Sequence, residues 1–238
     1  MKKLMTLKRA KEIIGSLGDP SKMPCLSYGL PAADATWVPA LAVEKGLRIP
    51  PLFGCMVGAL LAKIANTPCF NCYANDRGNY RYDSLKFGQL KRLVGLIFEP
   101  LWADAMIRMI SHYIDKTEPY FRWHDSGDLL NAKHLRLIVR IARALPWVKF
   151  WLPTQERKIL AEVFKDGFTR PSNLAIRISH TKLDRFGTTE SNKDKEFVYS
   201  GVTRTDDYTC HATDNDNECG DCRMCWDTNA PLVIYPNH

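Results

Sequence analysis

No apolar run in this sequence approaches the roughly twenty residues that a helix needs to cross a bilayer, so no helical membrane span is expected. The opening Met1-Lys2-Lys3-Leu4-Met5-Thr6-Leu7-Lys8-Arg9 is basic, but charge returns before the apolar core of a signal peptide could form. The expected location is therefore the cytoplasm, with no membrane partner. Neither common glycine-rich phosphate loop is present, which removes the usual nucleotide-binding designs. There is no internal repeat and no low-complexity tract, so solenoids and biased linkers drop out as well.

What is present is a chain of 238 residues, 45% hydrophobic and 11% aromatic, which can bury a sizeable core in one large domain or two small ones. Its formal net charge is +7, which permits contact with nucleic acid or another anionic partner. The positive residues are scattered over helix-like segments, such as Lys86, Lys91 and Arg92 or Arg136, Arg140 and Arg143, as solvated helix faces would be. The eight cysteines are the concentrated feature. A reducing compartment disfavours a disulfide framework, and uneven clustering is what metal binding predicts.

The chain divides into three stretches. Residues 1–54 read as an irregular leader, rich in Pro, Ala and Gly from Ser21 to Phe53, with one short basic helix over residues 5–17. Residues 55–207 read as an α/β core. A helical stretch from Ser84 to Tyr113 breaks near Glu99-Pro100. Strands follow at Tyr120–His124, Val148–Leu152, Leu174–Ile178 and Val198–Val202, with helices over 131–144 and 157–164. Strands alternating with helices of this length predict βαβ units and a parallel sheet, here a partial (β/α) barrel. Polar residues follow the strands, namely Asp125 and Asp128, Thr154 and Gln155, then Ser179 and His180. The carboxyl ends of parallel strands line the functional crevice in such folds. Residues 208–238 form a cysteine-rich segment, too short to fold alone without metal and expected to pack on the core.

Cys219-Gly220-Asp221-Cys222-Arg223-Met224-Cys225 is a C-x2-C-x2-C run, with Cys210 nine residues upstream. Three closely spaced thiolates can wrap three corners of a cubane cluster while a more distant cysteine takes the fourth. Four thiolates also suit zinc, although structural zinc more often uses two separated C-x2-C hooks. The second group is Cys69-Phe70-Asn71-Cys72, with Cys55 fourteen residues before it. It reads as part of a metal site or as a redox dithiol. Three ligands for four corners would leave the open position that a catalytic centre needs. Cys25 stands apart and reads as a small buried hydrophobe. Asp214 to Glu218 lacks the glycine of a calcium loop and reads as a polar lead-in to the cysteine run. His211 beside Cys210 reads as a solvated loop histidine or a ligand, and His124 and His180 as strand-end site residues or structural ones.

Several segments together resemble the phage gene product 88 family. They are Cys25-Leu-Ser-Tyr-Gly-Leu-Pro-Ala32, Cys55-Met56-Val57-Gly58, Cys69 to Ala74, Gly78-Asn79-Tyr80, Phe121 to Asp128 and the C-terminal cysteine run. The resemblance extends from about Cys25 to His238 and implies a phage origin, hence the host cell cytoplasm. More distantly, the layout is similar to a radical S-adenosylmethionine (SAM) barrel. That resemblance implies a [4Fe-4S] cluster whose open iron binds SAM, with Cys69, Cys72 and the aromatic Tyr73 matching part of its cysteine motif. It implies that the turn Asp125-Ser126-Gly127-Asp128 binds SAM, and that the C-terminal cysteines hold an auxiliary cluster. The sequence departs from the pattern at position 65, an alanine where that motif has its first cysteine, leaving Cys55 as the third ligand.

The expected protein is thus an iron–sulfur protein carrying one or two clusters on a radical-SAM-like scaffold, cleaving SAM to start radical chemistry on an unknown substrate. The expected ligands are Cys55, Cys69, Cys72, Cys210, Cys219, Cys222 and Cys225. The alternatives are a non-enzymatic cluster protein, for electron transfer or structure, and a zinc-stabilised nucleic-acid-binding protein.

Overall fold

The computed structural model describes residues 4–32, 37–49, 54–74, 78–165, 167–186 and 197–237. Parts of the leader, the first three residues and His238 lie outside that range. Within the described residues six strands form one sheet: β1 (Leu26–Tyr28), β2 (Tyr120–Trp123), β3 (Lys149–Thr154), β4 (Leu174–Ser179), β5 (Val198–Thr203) and β6 (Leu232–Pro236). They lie in chain order and every neighbouring pair is parallel, with Phe121 opposite both Leu26 and Phe150. The sheet is open, β1 and β6 being its edges.

Among the described residues seven α-helices accompany it: α1 (Leu7–Ile14), α2 (Trp37–Glu44), α3 (Met56–Leu61), α4 (Asp83–Phe98), α5 (Trp102–Tyr113), α6 (Ala132–Ala144) and α7 (Arg157–Phe164). Local chemistry sets their ends. Thr6 Oγ1 accepts the Arg9 N–H at 3.2 Å to cap α1, and Asn131 Oδ1 accepts the His134 N–H at 3.0 Å to cap α6. The break at Pro100 separates α4 from α5, because proline cannot donate and its ring crowds the preceding turn.

Side chains alternate across the sheet. One set, including Phe121, Trp123, Phe150, Leu152, Leu174 and Ile176, buries against α1, α5 and α6 through Ile13, Trp102, Met106, Leu135 and Ile138. Among the described residues the other set meets no α-helix layer. Trp151 and Val233 pack there against Cys25, Cys225 and Trp226, with Tyr120 and Tyr235 at the margin. A parallel sheet must be covered on both faces. Here the second cover is the β5–β6 crossover, residues 204–231, which contains the cysteine run.

One part of the sequence reading is corrected and another is extended. The stretch from Ser21 to Phe53 holds β1 and α2 and is not irregular where it is described. A three-residue strand is too short to show a period, and Pro39 of α2 sits in a first turn, where its missing N–H costs nothing. The cysteine-rich segment also supplies β6, whose Leu-Val-Ile-Tyr run completes the sheet. No helix among the described residues is long and apolar enough to cross a membrane.

Candidate functional site

The loop after β2 organises the carboxyl ends of the strands. His124 and Gly127 both take left-handed backbone, at φ 54° and 76°. A Cβ on Gly127 would stand 2.8 Å from Leu30 and 2.9 Å from the Gly54 carbonyl, so glycine alone fits between the neighbouring segments. The Ser126 hydroxyl accepts from Gln89 Nε2 at 2.6 Å and donates to the Leu30 carbonyl at 2.9 Å. Asp128 is buried, and its carboxylate accepts from Thr154 Oγ1 (2.6 Å), Gln155 N–H (2.7 Å) and Leu129 N–H (2.7 Å). Burial raises its pKa to about 7 against the pull of those donors, with Glu156 adding to the rise.

The first cysteine group attaches to this loop. The Asp128 N–H donates to the Gly54 carbonyl at 3.0 Å, which holds the chain just ahead of Cys55. Glu156, after β3, accepts the Val57 N–H at 2.8 Å and so anchors the first turn of α3 behind Cys55. Thr67 fixes the return loop by donating to the Leu61 and Ile64 carbonyls at 2.8 and 2.9 Å. A Cβ on Gly58 would lie 2.3 Å from Cys55 Sγ and 3.7 Å from Cys69 Sγ. Both sulfurs therefore border the space that this glycine leaves open. Cys69 and Cys72 are joined by a turn (Cys72 N–H to the Cys69 carbonyl, 3.2 Å). Burial pushes the Cys69 thiol up to about 12, helped by Cys72 and Asp128. Tyr73 donates to the Asp125 carbonyl and packs edge-on to Tyr80 at 5.7 Å, while its ring stays half exposed. Structure thus brings Cys55, Cys69, Cys72, Tyr73, Asp125 and Asp128 to one end of the sheet.

The second group lies on the sheet face. Cys225 is buried, its sulfur 3.2 Å from the Tyr235 hydroxyl. Cys210 packs in the same cluster, and burial raises its thiol, with Cys222 and Asp214 adding to the rise. Burial raises Cys219 too, assisted by Cys210 and Cys222, while Arg122 and Arg223 oppose. Cys222 is exposed. Cys25, read from the sequence as an isolated hydrophobe, belongs here, buried beside Cys225 and feeling the charge of Cys219. Its proximity to residues nearly two hundred positions away has no signal in a single sequence.

Arginines that the sequence did not single out frame this second group. Arg177, fully buried, donates to five carbonyls, those of Tyr199 (2.8 Å), Met224 (2.9 Å), Asp227 (3.1 Å), Ala230 (3.2 Å) and Cys225 (3.4 Å). It pins the crossover to the sheet. The Arg122 guanidinium lies 4.5 Å over the Trp151 ring, reaching Met23 Sδ at 3.0 Å and the Tyr73 hydroxyl at 3.4 Å. At the strands' amino ends an open cavity of about 600 Å³ is lined by Tyr120, Trp147, Lys149, Arg223 and Trp226, among others.

None of the eight cysteines forms a disulfide. Among the described residues, no three His, Cys, Asp or Glu side chains gather closely enough to share one metal ion. Ligands of a polynuclear cluster stand further apart than those of a single ion, because the inorganic core itself lies between them. His211 is exposed and pairs with Asp214 at 3.0 Å. His180 accepts from Gln155 Nε2 through its carbonyl at 3.4 Å, and His124 is buried, with desolvation holding it well below the ordinary histidine pKa.

The fold and site together define an open, all-parallel α/β protein with two separate cysteine groups. The chain belongs to the Gene product 88 family, whose model matches residues 54–228. That span runs from the residue before Cys55 to just past Cys225, so it takes in every cysteine except Cys25. No curated protein and no solved structure matches the chain. The comparisons give no support to the radical-SAM relationship.

Proposed function

We propose that this is a two-centre iron–sulfur protein of the radical-SAM kind, with a catalytic cluster on Cys55, Cys69 and Cys72 and an auxiliary one on the C-terminal cysteines. The observation that carries the reading is the space at Gly58, bordered by the Cys55 and Cys69 sulfurs at the carboxyl ends of six parallel strands. That end of a parallel sheet is where ligands bind. When bound, a three-thiolate cluster would supply the electron that cleaves a sulfonium and starts radical chemistry. The chain's own part is positioning and exclusion of water. Glu156 and Asp128 hold the segment around Cys55 in place, and Tyr73, just after Cys72, is tied to the Asp125 carbonyl.

A second reading, a cluster protein without catalysis, is favoured by one observation. Ser126 and Asp128 spend their hydrogen bonds on the scaffold, and a SAM amino group would compete with those partners. Anaerobic purification with iron, sulfide and zinc analysis tests the parent reading, and titration with SAM separates its two forms. Iron and sulfide in near-equal amounts, with SAM bound and reductively cleaved, is the expected result. Clusters without SAM binding would leave the non-catalytic form. Colourless zinc protein without sulfide would end both and turn attention to salt-dependent nucleic-acid binding.

A further inference from the structure

The C-terminal cysteine run lies against a segment that precedes β1 by only a few residues. Lys22 Nζ donates to the Asp216 carbonyl at 2.7 Å, and Met23 and Cys25 pack against Trp151, Cys210, Cys225 and Trp226. Cys25, Cys210 and Cys225 from two distant parts of the chain therefore pack together, with Cys219 near enough to act on Cys25 and the exposed Cys222 near enough to act on Cys210. The Arg122 and Arg223 guanidiniums face it, and the Nε of each is buried with no hydrogen-bond partner. A desolvated guanidinium N–H without an acceptor is costly, and the fitting acceptor among thiols is sulfur bearing negative charge. Neutral thiols accept weakly, whereas thiolates and the inorganic sulfides of a cluster accept well. An anionic sulfur centre at this place would give these two Nε donors an acceptor, while the other arms of Arg223 are held by Glu118 and by the Gly220 and Cys222 carbonyls.

We propose that Cys25 is a ligand of the C-terminal iron–sulfur centre, closing it from outside the β5–β6 crossover, with Arg122 and Arg223 as its counter-charges. A cubane takes four of the five thiols, and Cys25 is among the four. Each ligand loses its proton on binding, so the two guanidiniums face net negative charge. Ligation by Cys25 ties the residues ahead of β1, the first edge of the sheet, to the connection that leads into β6, the last. Centre assembly is then coupled to bringing the two ends of the chain together.

The proposal rests on the iron–sulfur reading, and its test separates the two. Wild-type protein, Cys25→Ala and Cys25→Ser would be purified without oxygen, and iron, sulfide and the electron paramagnetic resonance of the reduced state compared. Absence of iron and sulfide from the wild type would sink the parent reading. With clusters in the wild type, Cys25→Ala should lose the iron and sulfide of one centre, about half when both are filled. The signal of the other centre should be retained. Cys25→Ser, which keeps size and packing, should retain the centre with a shifted signal, because oxygen replaces sulfur on one iron. Unchanged iron in Cys25→Ala, or an unshifted signal in Cys25→Ser, would overturn the assignment of Cys25.

Discussion

The two cysteine groups sit on the same sheet but are built in opposite ways. The second is embedded at Cys25 and Cys225, although Cys222 stays exposed. Its crossover is the cover of one sheet face, Arg177 fastens it through five carbonyls, and Trp226 donates to the Phe121 carbonyl at 3.0 Å. The first is hung from the rim by a few backbone bonds, and Met56, Leu60, Phe70 and Tyr73 around it are exposed. Embedding suits a centre that serves structure or relays electrons, since burial and fixed donors tune a cluster and keep it from solvent. A rim position suits a centre that must admit a second molecule. The difference is one of packing, because the thiols themselves are chemically alike.

The sharpest way to break the contrast is to remove the fastener. Arg177→Met keeps much of the side-chain length but leaves five carbonyls without their donor. The expected loss of stability is about 3–5 kcal/mol, the cost of disrupting a buried charged network. Urea midpoints of the apoprotein measure it. The second group should lose its capacity to hold iron in the same variant, while the first retains its own. A loss under 1 kcal/mol would mean that the crossover holds its place without Arg177.

Sequence made the middle of this molecule legible and its two ends obscure. Phe121 and Trp123 before α6, and Phe150 and Leu152 before α7, are apolar runs followed by amphipathic helices, and Leu174 and Ile176 form a third apolar run, so β2, β3, β4, α6 and α7 could be read from period alone. Leu26-Ser27-Tyr28 could not, because its strand character comes from register against β2 and not from its own pattern. Within the site, the clustered residues Cys69, Cys72 and Asp125 to Asp128 announced themselves by spacing. Gly58 did not, because it acts through a missing side chain. Nor did Arg122, Arg177 and Cys25, since each acts through a neighbour far away in the chain. Glu156 is of the same kind, one carboxylate among many until Val57 is found 2.8 Å from it.

A smaller effect sharpens the comparison from the helix side of the sheet. His134 is buried, its Nδ1 accepting the Leu130 N–H at 3.3 Å and its ring edge-on to Trp102. Desolvation lowers its pKa from 6.5 to about 3. The unfolded chain therefore binds the extra proton first, so this contribution to stability is intact above pH 6.5 and is lost as pH falls toward 3. Between pH 6.5 and 5 the loss should reach about 2 kcal/mol for one such group. His134→Gln can still accept from Leu130 and does not titrate. Its urea midpoint should fall less between those two pH values than that of the wild type, the remaining slope being set by His124, also held neutral by burial, and by Asp128, whose raised pKa acts in the opposite direction. Equal slopes in the two proteins would show that His134 does not set the acid sensitivity.

The smallest effect on stability should fall at the rim, where it should also be the most damaging to the first centre. Gly58→Ala places a methyl group 2.3 Å from Cys55 Sγ, a clash that the thiol relieves by rotating away. The backbone has little reason to move, and alanine favours helix over glycine by about 1 kcal/mol. Folding stability should therefore stay within about 1 kcal/mol of the wild type. The Cys55 sulfur, however, leaves the space it shares with Cys69, and a centre reduced to two well-placed thiolates should not assemble. Iron and sulfide should fall by one centre's share, and Gly58→Ala combined with Cys25→Ala should hold almost none. Full iron retention in Gly58→Ala would mean that Cys55 does not join Cys69 and Cys72, and the open-corner site would lose its third ligand.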